Sequence, residues 1–170
     1  MDRKVWAELL DGSIDILNGL WTGQPFTYEG KHYQIKDATL SINPMQQPRI
    51  PIWVVGAWRR MKSMRRVLRS DGLIPAKMTA NGASGDITPD DLKEMSAFVK
   101  DKLGNSSFDI IVEGETPGND KEKAAQIVSS FRETGATWWL ESIAATPIQC
   151  GGIEGVRTRI SQGPPRLDDA

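Results

Sequence analysis

Four consecutive residues near the middle of the chain have the types and the order that bind a phosphate group. The run Gly56-Ala57-Trp58-Arg59 stands between a short apolar segment and a basic stretch. The first backbone N–H groups of a helix attract anions, and a glycine lets a phosphate approach the main chain. Arg59 and Arg60 would add charge-assisted hydrogen bonds. We predict an anion site here; the alternative is a plain strand-to-helix turn beside a solvated basic face.

Two further pairs of residues could contact a ligand. Ile74 and Pro75 end a second apolar segment and would pack against an aromatic ligand or inside a core. Side chains alternate along a strand, so Trp139 and Glu141 share one face while Trp138 lies on the other. A carboxylate is costly beneath covering helices. We therefore predict that Glu141 looks inward with Trp139 near a ligand and that Trp138 lies in the core; a core position for both tryptophans is the alternative.

The sequence lacks the residues that several kinds of catalysis and metal binding need. The chain has one histidine, His32, and one cysteine, Cys150, so it offers no His/Cys cluster for zinc. A Ser/His/Asp triad would need His32, which lies in a turn-like segment beside Gly30 and which we interpret as structural. No metal site is predicted, and no catalytic residue is assigned.

Composition limits the class of protein. The 170 residues have a formal charge of −1 and a pI of about 5.9, which gives no electrostatic basis for binding nucleic acid or an anionic membrane. No run of about 18 apolar residues could span a bilayer. The first residues do not resemble a signal peptide, and a single cysteine makes no internal disulfide. We therefore expect a cytoplasmic protein.

The order of the elements predicts an α/β fold. Apolar residues recur every three to four positions over 3–20, which indicates a helix with one buried face. Extended pieces at 26–28 and 32–35 suggest a hairpin. Four apolar strands then alternate with four helices. The strands are predicted at 52–55, 72–74, 108–112 and 136–140. The helices are predicted at 59–69, from Thr88 to Leu103, from a capping box of Asn119 and Glu122 to about Gly135, and at 153–160.

This alternation is typical of a parallel sheet covered by helices. We predict a single domain over 1–170, made of a helix and hairpin-containing loop (1–51), four strand–helix units (52–162) and a C-terminal tail (163–170).

Several stretches, taken together and in order, resemble the luciferase-like flavin-dependent monooxygenases. They include GLWTG at 19–23, PF at 25–26, YEGKHY at 28–33, QQPRIPIWV at 46–54, DGLIP at 71–75, EGETPG at 113–118, GATWWLE at 135–141 and RISQGPP at 159–165. The resemblance implies a TIM-like (β/α)₈ barrel that binds FMN, or in some branches a deazaflavin, at the C-terminal ends of its strands. Relative to that pattern, this chain begins in the helix before the fifth strand and is half of a barrel.

The resemblance also implies roles and partners. Gly56, Ala57, Trp58 and Arg59 would hold the flavin phosphate, and a valine at position 56 would weaken flavin binding with little loss of fold. The first hypothesis is a flavin monooxygenase half-barrel that acts as a homodimer or with a separate N-terminal-half protein, with a flavin reductase as a further partner. A non-catalytic flavin- or phosphate-binding remnant and a structural oligomer without ligand are the alternatives.

Overall fold

The protein is described by a computed structural model that covers residues 2–42, 44–79, 84–104, 106–142 and 151–167. The chain divides into two compact units, Met1–Pro51 and Ile52–Ala170. The division falls where the predicted strand–helix units begin. Each unit is described by itself.

The first unit contains a helix and a hairpin, as the sequence predicts. The helix, α1, runs over Arg3–Leu20, and the side chain of Asp2 caps it by accepting a hydrogen bond from the Lys4 amide at 3.0 Å. The strands β1 (Phe26–Glu29) and β2 (Gln34–Ala38) pair antiparallel. The second strand begins two residues later than predicted, because residues 30–33 form the turn.

The prediction that α1 buries one whole apolar face is wrong. Of its apolar stripe, Ile14 is buried, whereas 61% of Trp6, 42% of Leu10 and 40% of Leu17 remain exposed. Close packing in this unit instead involves Gly12, where a Cβ atom would lie 3.0 Å from the ring of Tyr33.

The second unit is built on a parallel sheet. Its strands in spatial order are β3 (Trp53–Ala57), β4 (Gly72–Met78), β6 (Asp109–Gly114) and β7 (Trp138–Glu141), and the short β5 (Ser84–Gly85) pairs antiparallel with the end of β4. The helices between and after these strands are α2 (Met61–Val67), α3 (Pro89–Leu103), α4 (Lys121–Arg132) and α5 (Gly152–Ser161). The predicted alternation of strands and helices is confirmed, and β5 was not foreseen.

Helix caps explain where the predicted boundaries hold and where they shift. Thr88 and Asp91 form a reciprocal capping box at the start of α3, and Gly104 ends that helix with a φ of 66°. Helix α4 is capped by Asp120, whose carboxylate accepts from the Lys123 amide at 2.9 Å. The predicted box of Asn119 and Glu122 is therefore wrong by one residue.

The sheet has one face covered by helices. A Cβ atom on Gly56 would meet the side chains of Leu73, Met64 and Val67, which places α2 over this face. Leu92 of α3 clusters with Ile110 and Val112. We call this side the helix-covered face.

The opposite side, which we call the open face, carries Trp53, Val55, Trp138 and Leu140. Val55 is 55% exposed and Trp138 is 50% exposed. The strands β3 and β7 are the two edges, so the described residues form an open sheet and no closed barrel. Four parallel strands with their helices on one side are the arrangement of part of a TIM-like barrel.

Candidate functional site

Polar and charged side chains gather where the parallel strands end. Because parallel strands end at the same edge, the carboxyl ends of β3, β4, β6 and β7 lie together along the C-terminal edge of the sheet. The candidate residues from the sequence lie at or near this edge, but they are divided between its two faces.

Gly56 serves packing between strand and helix. It is buried on the helix-covered face, and a Cβ atom there would lie 2.4 Å from Leu73 Cδ1 and 2.8 Å from Val67 Cγ2. The expectation that a valine at this position would leave the fold nearly intact is therefore wrong, because the added side chain would overpack the core. Contact of Gly56 to Arg59 with a phosphate stays a prediction.

Trp58 and Arg59 already hold a carboxylate. The Trp58 indole Nε1 donates to Glu94 Oε2 at 3.0 Å, and Arg59 Nη2 lies 3.2 Å from the same oxygen. The bonds from Trp58 and then Arg59 lower the pKa of the Glu94 carboxyl below its usual 4.5. The helix predicted over 59–69 is shorter in the structure: Arg59 has a left-handed φ of 62°, and α2 begins at Met61 and ends at Val67. A phosphate here would compete with Glu94 for both donors.

Ile74 and Pro75 lie on opposite faces of β4. Pro75 pairs in register with Gly56 on the helix-covered face, whereas Ile74 pairs with Val55 on the open face. One flat ring cannot lie against both side chains from the same side of the sheet. Next to Ile74 along the open face, Ala57 pairs with Ala76, so two small side chains meet at the ends of β3 and β4.

The prediction of which tryptophan looks inward is reversed. The Trp139 ring packs against Phe131 of α4, with ring centres 5.6 Å apart, and joins the cluster of Leu92, Ile110 and Val112 on the helix-covered face. Trp138 is half exposed on the open face. Glu141 therefore lies on the helix-covered face with Trp139, where the hydrogen-bond donors around its carboxylate offset the free-energy cost of burying a charge.

Glu141 connects three segments at this edge. Its carboxylate accepts from the Thr116 amide at 2.6 Å, from the Thr116 hydroxyl at 2.8 Å and from the Trp139 indole at 2.9 Å. Arg159 Nη2 of α5 lies 3.0 Å from Glu141 Oε1, the oxygen that also accepts from the Thr116 amide. Burial raises the pKa of the Glu141 carboxyl, but the bonds from Trp139, Thr116 and Arg159 together lower it below 4.5.

A cavity of about 180 Å³ opens beside this cluster. It lies between the loop after β6, the first turns of α4 and the segment that follows α5. Within the described part of the chain, three cationic side chains and no carboxylate line it. The lining residues are Thr116, Pro117, Gly118, Lys121, Ala124, Arg159, Gln162, Gly163, Pro164, Pro165 and Arg166.

Sequence reasoning missed this cavity and its cations. The stretches EGETPG and RISQGPP were recognised only as parts of the family resemblance. Nothing in their spacing showed that residues 43 positions apart, Thr116 and Arg159, would meet at 3.0 Å. The signal that could have indicated the site is a cation close to glycine or proline in each segment: Lys121 follows Gly118 by three positions, and Arg166 directly follows Pro165.

The lone histidine contacts an acid in the first unit. His32 Nε2 and Lys31 Nζ both lie 2.8 Å from Glu8 Oε2. The bonds from Lys31 and then His32 lower the pKa of Glu8 to about 2. Cys150 lies outside the described residues. Among the residues that the structure does describe, no group of three or more His, Cys, Asp or Glu side chains could hold a metal ion.

Comparison with known proteins gives the family. Parallel strand–helix units whose charged loops meet at the carboxyl ends of the strands are the plan of the (β/α)₈-barrel enzymes. The family model described as luciferase-like monooxygenase matches residues 7–142. The chain belongs to the luciferase-like monooxygenase family.

A relative within this family has a named activity. The F420-dependent glucose-6-phosphate dehydrogenase of Microbacterium testaceum (strain StLB037) is 44% identical over 45 residues, which are 26% of this chain. The match spans 13% of that protein's length. No helix in the described part of the chain is long and apolar enough to cross a membrane.

Proposed function

We propose that this chain is the cofactor-contacting part of a luciferase-like oxidoreductase, which binds the ring of FMN or of a deazaflavin at the C-terminal edge of its sheet. The observation that carries the proposal is the family match over residues 7–142 together with an open sheet face at that edge. The name of the F420-dependent relative supports a deazaflavin as one of the two cofactor types.

The open face is the better position for the ring. Ala57 and Ala76 pair at its C-terminal end, where their small side chains leave room for a flat aromatic group, and Ile74 adds apolar surface beside them. The helix-covered face already holds Trp139 against Phe131. We therefore assign ring contact to Ala57 and Ile74.

The other candidates act indirectly in this proposal. Gly56 and Pro75 keep β3 and β4 packed under the ring, and Trp139 and Glu141 position the loop after β6. Trp58 and Arg59 remain candidates for a charged group of the cofactor, in exchange with Glu94.

The open face also supports a partner. Val55 and Trp138 expose about half of their side-chain surface, and β3 and β7 are apolar edges of a parallel sheet. Unpaired edges of this kind are normally covered or paired. We propose a homodimer, or a complex with a separate N-terminal-half protein, which would enclose the ring. With FMN as cofactor, a flavin reductase would supply reduced flavin.

Ring binding can be tested with a matched pair of variants. FMN and coenzyme F420 are titrated separately into the purified protein, and binding is followed by quenching of cofactor fluorescence. Ala57→Phe fills the end of the open face, so we expect at least tenfold weaker binding. Ala97→Phe makes the same change on an exposed position of α3 and should bind like the wild type. Absence of binding for both cofactors, or equal affinity in both variants, would contradict the proposal.

A binding module without turnover is the second candidate. It is favoured by the open face, because the transfer of oxygen to a substrate requires that water be kept away from the ring, and the reaction otherwise ends in hydrogen peroxide. We expect little or no oxygenated product from this chain alone even where the cofactor binds. Oxidation of reduced cofactor, followed with and without a candidate partner protein, separates the two functions.

A further inference from the structure

We propose that the cavity beside Glu141 is a binding site for a phosphoryl group, separate from the surface that holds the cofactor ring. Among the residues that the structure describes, the lining provides three cations, Lys121, Arg159 and Arg166, and no carboxylate. The three come from different segments: the first turn of α4, the last turns of α5 and the chain that follows it. Cations that converge from several directions suit a compact anion with several oxygens.

Arg159 is held in place by the protein. Its Nη1 donates to the Gly163 carbonyl at 2.7 Å, and its Nη2 donates to the Thr116 hydroxyl at 3.0 Å and pairs with Glu141. Its Nε is buried and has no acceptor among the described residues. Arg159 is thus a fixed wall of the cavity whose charge is paired with Glu141, so the unpaired positive charge at the cavity comes from Lys121 and Arg166.

Lys121 and Arg166 are the free donors. Neither side chain has an ion pair or hydrogen bond within the part of the chain that the structure describes, and both are exposed at the mouth of the cavity. They can therefore reach an anion without breaking an existing bond. With Arg159 behind them, they make the cavity a concentrated positive region in a chain whose formal charge is −1.

The shape of the cavity limits the ligand. A Cβ atom on Gly118 would meet the end of the Gln162 side chain and would lie 3.1 Å from Arg159 Cδ, so the glycine lets both side chains pack closely against the loop after β6. Pro164 and Pro165 form another wall, and proline restricts its movement. A volume of about 180 Å³ holds several water molecules, which is enough for a phosphoryl group with part of its ester and too little for a three-ring flavin.

Binding of inorganic phosphate by the whole protein is the direct test, measured by calorimetry at low salt and by the phosphorus NMR signal. We expect saturable binding that weakens at least tenfold in a Lys121→Gln, Arg166→Gln double variant, because charge-assisted bonds are lost. Lys123→Gln is the matched control: it removes one cation from the same helix, at an exposed position outside the cavity lining, and should change affinity less than twofold.

A wild-type protein that binds no phosphate, or a control that loses as much affinity as the double variant, would overturn the proposal. This test needs no cofactor, so its failure and the failure of ring binding are distinguishable. The proposal of ring binding fails when neither FMN nor F420 binds, and the result for inorganic phosphate does not affect it.

The source of the phosphoryl group is resolved by comparing FMN with riboflavin. If the cavity holds the phosphate of the cofactor, the double variant weakens FMN binding and leaves riboflavin binding unchanged. If it holds a separate phosphate ester, both flavins bind the double variant as they bind the wild type, and a simple sugar phosphate loses affinity instead. Either result supports a phosphoryl site.

Discussion

The two ends of the parallel sheet both contain a carboxylate that accepts hydrogen bonds from tryptophan, and they differ in the face on which it lies and in whether a cation is paired with it. At the N-terminal end, Asp109 accepts from the indoles of Trp53 and Trp138, each at 3.1 Å. The two rings lie 5.6 Å apart on the open face. At the C-terminal end, Glu141 accepts from Trp139 and Thr116 and pairs with Arg159.

This difference separates a structural end from a functional one. The donors to Asp109 are neutral and the aromatic rings close over the strand starts, where a Cβ on the intervening Gly72 would lie 2.6 Å from Trp53. The donors to Glu141 include a cation, and the next space beyond Arg159 is a cavity lined by two more. In (β/α) barrels the N-terminal end of the strands serves stability and the C-terminal end serves ligands. The two clusters have the composition expected of those two roles.

The largest effect is expected from Glu141→Gln. The change removes the ion pair with Arg159 and leaves a partly buried guanidinium without its charge partner, so we expect the free energy of unfolding to fall by about 2 to 3 kcal/mol. Urea unfolding followed by circular dichroism measures it. Glu113→Gln, at an exposed position on the neighbouring strand, is the control and should change stability by less than about 0.5 kcal/mol. Similar stability of the two variants would show that the Glu141 cluster does not hold this end together.

The stability difference between the wild type and Glu141→Gln should depend on pH. The folded-state pKa of Glu141 is lowered from 4.5, so its contribution is fully present above that value and is lost as pH falls through the lowered folded pKa. The two unfolding curves should therefore approach each other in acid, and urea titrations at a series of pH values would show it. A constant difference down to the lowest pH would mean that the charge of Glu141 is not what stabilises the cluster.

A smaller effect is expected at the N-terminal end. Asp109→Asn replaces one of the two acceptor oxygens by an NH₂ group, so one of the two indoles loses its partner. We expect a loss of about 1 kcal/mol, because both indole donors are neutral and the cluster is partly exposed. Phosphate affinity should not change, since the cluster lies at the opposite end of the strands. A loss of affinity in this variant would break the separation between the two ends.

Much of the fold could be predicted because its signals are local. The N-cap at Thr88 sets the start of α3 within a few neighbouring residues, and it was recognisable in the sequence. The face of Trp139 could not be read in the same way. A carboxylate on the helix-covered face looked too costly, and only the tertiary structure brings Thr116 and Arg159 to Glu141 to offset that cost.

The candidate site shows the same limit. Gly56 and Arg59 were recognised from their order along the chain, but their partners, Leu73 and Glu94, come from other elements. A glycine before a helix looks alike in sequence whether it admits a phosphate or a leucine side chain. The cations of the cavity were missed because Lys121 lies 38 positions before Arg159 and 45 before Arg166, and the three meet only in the tertiary structure.

The smallest effect on stability, and the clearest distinction between the two ends, is expected from Lys121→Gln alone. Lys121 is exposed and has no partner among the described residues, so its removal breaks no bond and should change the free energy of unfolding by less than about 0.5 kcal/mol. Relief of repulsion from Arg159 and Arg166 could even make the change favourable, since like charges near one cavity destabilise the free protein. The same variant should weaken phosphate binding several-fold, whereas Lys123→Gln should alter neither property. A residue whose substitution weakens binding without lowering the free energy of unfolding belongs to a binding site. A Lys121→Gln variant that lost stability and kept its phosphate affinity would instead make the C-terminal end a second structural cluster, equivalent to the one around Asp109.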